Sequence, residues 1–209
     1  MSQLASVAKV CQGYVLTGGR SSRMGQDKAL MMLDGHPLGT IVAHHVHQAV
    51  NSVTLVGEHC KHAPLGFPLI EDAYRGLGPI SGIHAALVDC RKPLALVVGC
   101  DMPFLTAGFL GELAMIASVD DADITVAESP EHGYESLCAV YRRSALPVVE
   151  EAIAQRQLKL ASLYDRLKMR VLSAEECAPY NRQGVLFANV NTPGDFEDAQ
   201  KRLRAAACA

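Results

Sequence analysis

The segment Leu94–Cys100, written LALVVGC, constrains the fold of this chain more than any other. Both alternating sets of its side chains are apolar, so as a strand it offers no face to water. Strands of that kind belong in the buried middle of a parallel sheet, with helices covering both sides. The rest of the sequence supplies neighbours and covers for it. Val10 to Leu16, Ser52 to Val56, Phe67 to Ile70, Ala122 to Val126, Ser136 to Tyr141 and Met169 to Leu172 read as further strands. Leu38 to Val50, Ile80 to Val88, Thr106 to Ala117, Leu146 to Ala154 and Leu158 to Leu167 carry helical periodicity. A last helix starts at Thr192-Pro193-Gly194-Asp195 and runs to about Arg204. Thr192 caps it, Pro193 suits the first helical position and Asp195 completes a capping box. Strands alternating with helices imply βαβ units and a three-layer α/β/α sandwich.

With 209 residues, 49% of them hydrophobic, the chain can bury a continuous core, and residues 1–209 read as one domain. The 20% of charged residues argue against wholesale disorder. A formal net charge of -3 is unlike that of a general nucleic-acid binder, so any anion site must come from locally placed cations. The cysteines, at 11, 60, 90, 100, 138, 177 and 208, are odd in number and form no C-x-x-C pair. They read as reduced thiols, not as a disulfide frame or zinc site. No apolar run reaches the roughly 20 residues of a membrane span, and no secretory core follows the N-terminus. The expectation is a cytoplasmic protein with neither membrane nor nucleic-acid partner.

Four segments carry chemistry. The first, LTGGRSSRMGQDK from Leu16 to Lys28, follows the first strand directly. Gly18, Gly19 and Gly25 let backbone approach a ligand, successive N–H groups can form an anion nest, and Arg20, Arg23 and Lys28 add positive charge. Triphosphates need that combination. The spacing fits neither a P-loop nor G-x-G-x-x-G. Second, Asp101 in GCDMPF ends the buried strand, on the edge where open α/β sheets bind ligands, and its carboxylate can hold Mg²⁺ shared with phosphates. Third, Glu71 to Gly82 joins a short strand to a helix. Gly78, Pro79 and Gly82 suit a tight entry to a helix N-terminus, and Asp72 can accept hydrogen bonds from a base or a ribose, guanine offering two adjacent donors at N1 and N2. Fourth, Asn189 and Asn191 flank Val190 and share one face of extended chain, within reach of a phosphate or a metal water. Each has a plainer use, as turn, cap or solvated loop. The histidine groups His44, His45, His47 and His59, Cys60, His62 lack a complete metal-ligand spacing and read as ordinary helix residues.

Together these segments resemble the MobA family, the molybdenum cofactor guanylyltransferases. The family pattern L-x-G-G-x-S-x-R-M-G-x-D-K-x-L followed by G-x-P-L is matched by LTGGRSSRMGQDKAL and by Gly35-His36-Pro37-Leu38. Asp72 to Gly82, CDMPFL and NVNTP match its later elements, so the resemblance covers about residues 10 to 200. It implies a Rossmann-like nucleotidyltransferase fold with a mostly parallel sheet. It also implies transfer of GMP from GTP to the terminal phosphate of molybdopterin, with Mg²⁺. Nucleotide contacts would fall on Leu16, Thr17, Gly18, Gly19, Arg23, Lys28, Asp72, Gly78, Gly82 and Asp101, with Arg23, Lys28 and Asp101 catalytic and Asp101 ligating the metal. Asn189 and Asn191 would lie on the acceptor side. Residues 10–105 would form the GTP half and 106–205 the acceptor half. Molybdoenzymes or their chaperones would be partners. The chain departs at Glu135-Ser136-Leu137, where many relatives have proline before the leucine, and an acceptor-side arginine has stand-ins only in Arg156 or Lys159. A cytidylyltransferase for the same pterin, a sugar-phosphate nucleotidyltransferase and a non-catalytic nucleotide sensor are the competing functions on this fold.

Overall fold

The structure, a computed structural model, describes residues 3–18, 26–130, 133–181 and 183–207. In chain order its first half runs α1 (Gln3–Val10), β1 (Cys11–Leu16), β2 (Met32–Leu33), β3 (His36–Pro37), α2 (Leu38–Val50), β4 (Thr54–Val56), α3 (His59–His62), β5 (Leu69–Ile70) and α4 (Pro79–Asp89). The second half runs β6 (Leu94–Gly99), α5 (Ala107–Val119), β7 (Ile124–Ser129), β8 (Gly133–Arg142), α6 (Leu146–Ala154), β9 (Met169–Leu172), α7 (Ala174–Cys177) and α8 (Pro193–Ala207).

Seven strands form one sheet in the order β5-β4-β1-β6-β8-β7-β9. All its pairings are parallel except those made by β8, which runs against both β6 and β7. β6 lies at the centre with every residue buried, as its two apolar faces require. On one face Val15, Leu96, Val98 and Val140 pack with Val42 and Val46 of α2 and Leu110 and Leu113 of α5. On the other, Tyr14, Val97 and Tyr141 pack with Ile80 and Ile83 of α4 and Val149 of α6. Each large aliphatic side chain buried this way contributes about 1.5–3 kcal/mol relative to exposure. A small third cluster of Leu33, Leu38, Val190 and Ala199 seats the β2–β3 hairpin and α8 against the body.

The mostly parallel three-layer sandwich agrees with the sequence, and so does the start of α8. Asp195 N–H donates to Thr192 Oγ1 at 3.2 Å and Thr192 N–H to Asp195 Oδ2 at 2.8 Å, the expected capping box. Three details differ. Residues 3–10 form a helix, so the first strand begins at Cys11. The stretch Leu158–Leu167 is no α-helix: Arg156 turns the chain through a left-handed φ of 58°, and only Leu160–Leu163 coils, as a 3-10 turn. The hairpin of β2 and β3 has no apolar run long enough to announce it. Among the described residues no helix is long and apolar enough to cross a membrane.

The reversed β8 starts at the edge where the parallel strands end. That edge therefore gathers the ends of β1, β4 and β6 beside the first residues of β8.

Candidate active site

The tips of β1 and β6 are tied together, since Cys100 N–H donates to the Leu16 carbonyl at 3.1 Å. One residue on, the Asp101 carbonyl accepts Val190 N–H at 2.8 Å, which draws Asn189 to Asn191 onto the same tip. The Asp101 carboxylate lies back over the backbone of residue 99. A Cβ there would stand 2.7 Å from Asp101 Oδ1, so only glycine leaves the carboxylate its place. Cys100 faces the core, and its burial, with the Asp101 charge adding, pushes the thiol far above its ordinary range; it is no nucleophile.

Lys28 meets this tip from across the first loop. Its Nζ donates to Asn191 Oδ1 at 2.6 Å and lies 3.5 Å from Asp101 Oδ2. The lysine and aspartate side chains are 18% and 24% exposed, so the pair is open to a ligand yet fixed in place. Residues from opposite ends of the sequence, 28, 101 and 191, thus form one polar group.

A residue not anticipated as functional holds Lys28 there. Lys28 opens a 3-10 turn capped by Asp27, whose Oδ1 accepts Ala29 N–H at 3.1 Å. The other Asp27 oxygen meets Nε2 of His62 at 3.1 Å. His62 is buried, and its Nδ1 accepts Glu58 N–H at 2.9 Å, so Nε2 carries the proton and donates to Asp27. Burial alone would raise the Asp27 carboxyl; the bond from His62 and the Ala29 amide outweigh it and hold the carboxyl below its usual value. The histidine cluster at 59–62 therefore contains a support for the site. Among the described residues no group of three or more His, Cys, Asp or Glu is placed to hold a metal.

Beside the triad opens a cleft of about 540 Å³ lined by Gly18, Gly57, Glu58, Asp72, Gly78, Pro79 and Ser81, among others. Asp72 Oδ1 is buried with no hydrogen-bond partner among the described residues, and Oδ2 is 3.4 Å from Ser81 Oγ, whose closer bond goes to the Gly78 carbonyl at 2.8 Å. A buried carboxylate oxygen without a donor is costly unless a ligand supplies one. Gly78 caps α4 at φ 80°, ψ -158°, a region essentially closed to residues with a Cβ. Gly78→Ala is expected to lose about 1–3 kcal/mol of stability, read as a fall in the urea midpoint, and to raise the KM for nucleotide as the helix N-terminus shifts.

The remaining sequence expectations divide. Gly18 lines the cleft, whereas Gly82 acts through Leu16, whose side chain would stand 3.0 Å from a Cβ at 82. Thr17 directs both its N–H and its hydroxyl to the Val56 carbonyl, each at 3.0 Å. Asn189 Nδ2 bonds the Phe187 carbonyl at 3.2 Å, leaving Asn191 as the amide that meets Lys28. Gly19, Arg20, Arg23 and Gly25 lie outside the described residues. Arg156 lines a groove with Tyr74, Arg75, Leu77 and Glu150, behind the loop that bears Asp72.

The sequence matches the family described as MobA-like NTP transferase domain over residues 13–171. The chain belongs to that family. This MobA-like protein is 33% identical over 192 residues to a "Probable molybdenum cofactor guanylyltransferase" from Carboxydothermus hydrogenoformans, covering 90% of this chain and 93% of that one. It is 32% identical over 200 residues to a "Molybdenum cofactor guanylyltransferase" from Desulfosudis oleivorans, covering 92% and 96%. The crystal structure of molybdopterin-guanine dinucleotide biosynthesis protein A from Archaeoglobus fulgidus superposes with a TM-score of 0.82 at 27% identity, covering 93% of this chain and 99% of that one. Membership makes the MobA-like chain a nucleotidyltransferase, and places the Lys28–Asp101–Asn191 group and the cleft within or beside the matched domain.

Proposed function

We propose that the chain transfers GMP from GTP to the terminal phosphate of molybdopterin, releasing pyrophosphate and forming the guanine dinucleotide. The observation that carries this is the buried Asp72 oxygen, without a partner among the described residues, in a cleft at the ends of β1 and β4, with Lys28 and Asp101 at the end of the neighbouring β6. Guanine presents two adjacent donors, at N1 and N2, that a carboxylate can accept together; cytosine has no such pair. The relatives' names supply the acceptor class.

Asp101 fits a magnesium ion. Magnesium is usually held by one or two carboxylates and completes its shell with water and substrate phosphates, and a single exposed carboxylate beside an amide oxygen suits that habit. When bound, the ion neutralises charge on the transferring phosphate. The protein's own groups do the rest. Asp72 fixes the base, and the N-terminus of α4 at Gly78 and Pro79 favours negative charge nearby. Lys28 offsets charge on the triphosphate, with Arg23 assigned to the same task. Asn191 orients Lys28 and faces the acceptor, with Asn189 close behind it.

The acceptor's terminal phosphate attacks the α-phosphorus in line, and the bond to pyrophosphate breaks. A phosphate monoester has a second pKa of about 6, so the nucleophile is already anionic at neutral pH and no general base is required. The barrier lies in bringing two anions together in line, and orientation of this kind supplies about 7–11 kcal/mol in well-aligned systems. In this assignment residues up to about 105 hold GTP and the later ones the acceptor, all within one domain. Molybdoenzymes or their chaperones would receive the product, in the cytoplasm.

Incubation with Mg²⁺, molybdopterin and each of GTP, CTP, ATP and ITP tests the proposal. The dinucleotide is expected by mass with GTP, with stoichiometric pyrophosphate. A product with CTP in preference to GTP, or GTP binding with no turnover, would overturn it.

A further inference from the structure

The sheet edge reads as a line. The cleft with Asp72 lies beside Gly57 and Gly18, at the ends of β4 and β1. The Lys28–Asp101 pair lies at the end of β6. The next strand is β8, and it is irregular there. Val126 of β7 pairs with Ala139 and Glu128 with Tyr134, so Ala127 alone stands opposite Glu135, Ser136, Leu137 and Cys138. Bulges of this kind re-aim side chains beside functional sites.

This bulge abuts the reaction centre. A Cβ built on Gly99 would lie 2.7 Å from Asp101 Oδ1 and 3.5 Å from Leu137 Cβ. Tyr134 follows within about 10 Å of Leu137, the longest span three residues allow. The bulge is also pinned: Tyr141 Oη donates to the Ser136 carbonyl at 2.9 Å, Ser129 Oγ donates to Glu135 at 2.6 Å, and Ser136 Oγ bonds Tyr164 Oη. Tyr164 in turn backs Tyr134 edge-on, with ring centroids 5.2 Å apart at 82°. Tyr164 is half-buried, yet Tyr134 keeps 41% of its surface open. An aromatic ring held rigid from behind and left bare in front suits a flat partner.

We propose that Tyr134, backed by Tyr164, is the surface on which the pterin ring of the acceptor stacks, an inference that rests on the molybdopterin assignment above. The order along the edge is then guanine at Asp72, phosphates at Lys28 and Asp101, and pterin at Tyr134. Glu135-Ser136-Leu137, pinned by the bonds above, is the segment that sets this ring's position.

Steady-state kinetics with molybdopterin and GTP test this in Tyr134→Ala and Tyr134→Phe. In Tyr134→Ala the KM for molybdopterin is expected to rise about tenfold, the scale on which loss of one stacking aromatic weakens binding of a flat base. The KM for GTP and kcat at saturating acceptor stay within about twofold, and Tyr134→Phe restores the acceptor KM. Dinucleotide formation with an unmoved acceptor KM in Tyr134→Ala overturns the proposal alone. So does an equal rise in both KM values with a lowered melting temperature, which marks a structural role. Absence of dinucleotide from the unaltered protein overturns the acceptor assignment and this proposal together.

Discussion

Asp101→Ala lowers the rate of guanylyl transfer on the order of 10³-fold or more, while the dissociation constant for GTP without metal changes by less than about tenfold. The physical reason is separation of duties. In the proposed assignment the base lies in the cleft at Asp72 and the start of α4, whose lining does not include Asp101. Asp101 is assigned to the reacting phosphates, where loss of one preorganised charge-stabilising group costs about 10²–10³ in turnover and loss of an anchored metal would cost more. Quench-flow measurement of product, paired with calorimetric GTP titration, separates the two quantities. A rate within tenfold of the unaltered protein would sink the assignment of Asp101 to catalysis.

Asp72→Ala acts on the other end of the nucleotide. Its buried Oδ1 has no partner among the described residues, and in the proposed assignment guanine supplies the missing donors. Hydrogen bonds to a charged group contribute about 1.5–3 kcal/mol each, so kcat/KM for GTP is expected to fall about 10²-fold or more. The loss should be selective. ITP, which lacks the N2 amino group, already forgoes one bond and loses less, so the preference for GTP over ITP narrows in the variant. Competition kinetics with both nucleotides reads that ratio directly. An unchanged ratio would place the base elsewhere.

Much of this arrangement was legible in the chain itself, and the parts that were not share a cause. β6 declares its burial because alternation and burial are local properties of LALVVGC. The cap of α8 is local too, complete within Thr192 to Asp195. The direction of β8 is not local: an apolar run signals burial but not which way it runs between β6 and β7. The bond between His62 and Asp27 joins residues far apart in sequence, so its only sequence trace was one histidine in a group of several. The stretch after α6 looked helical by spacing, but Arg156 in left-handed backbone breaks it. Asp72 and Asp101 could be picked out as carboxylates in suggestive places; that one has an orphaned oxygen and the other a lysine beside it is a property of the folded chain.

The contact between Lys28 and Asp101 has a consequence for how the enzyme loads. Before substrate arrives, the ammonium occupies ground that a divalent ion would claim, so the protein carries its own place-holder. An ion held by Asp101 would take over the balance of that carboxylate, and Lys28, still tethered by Asn191, would be released toward the triphosphate. In the proposed mechanism metal capture and nucleotide clamping would become a single exchange, with Lys28 balancing the carboxylate between turnovers.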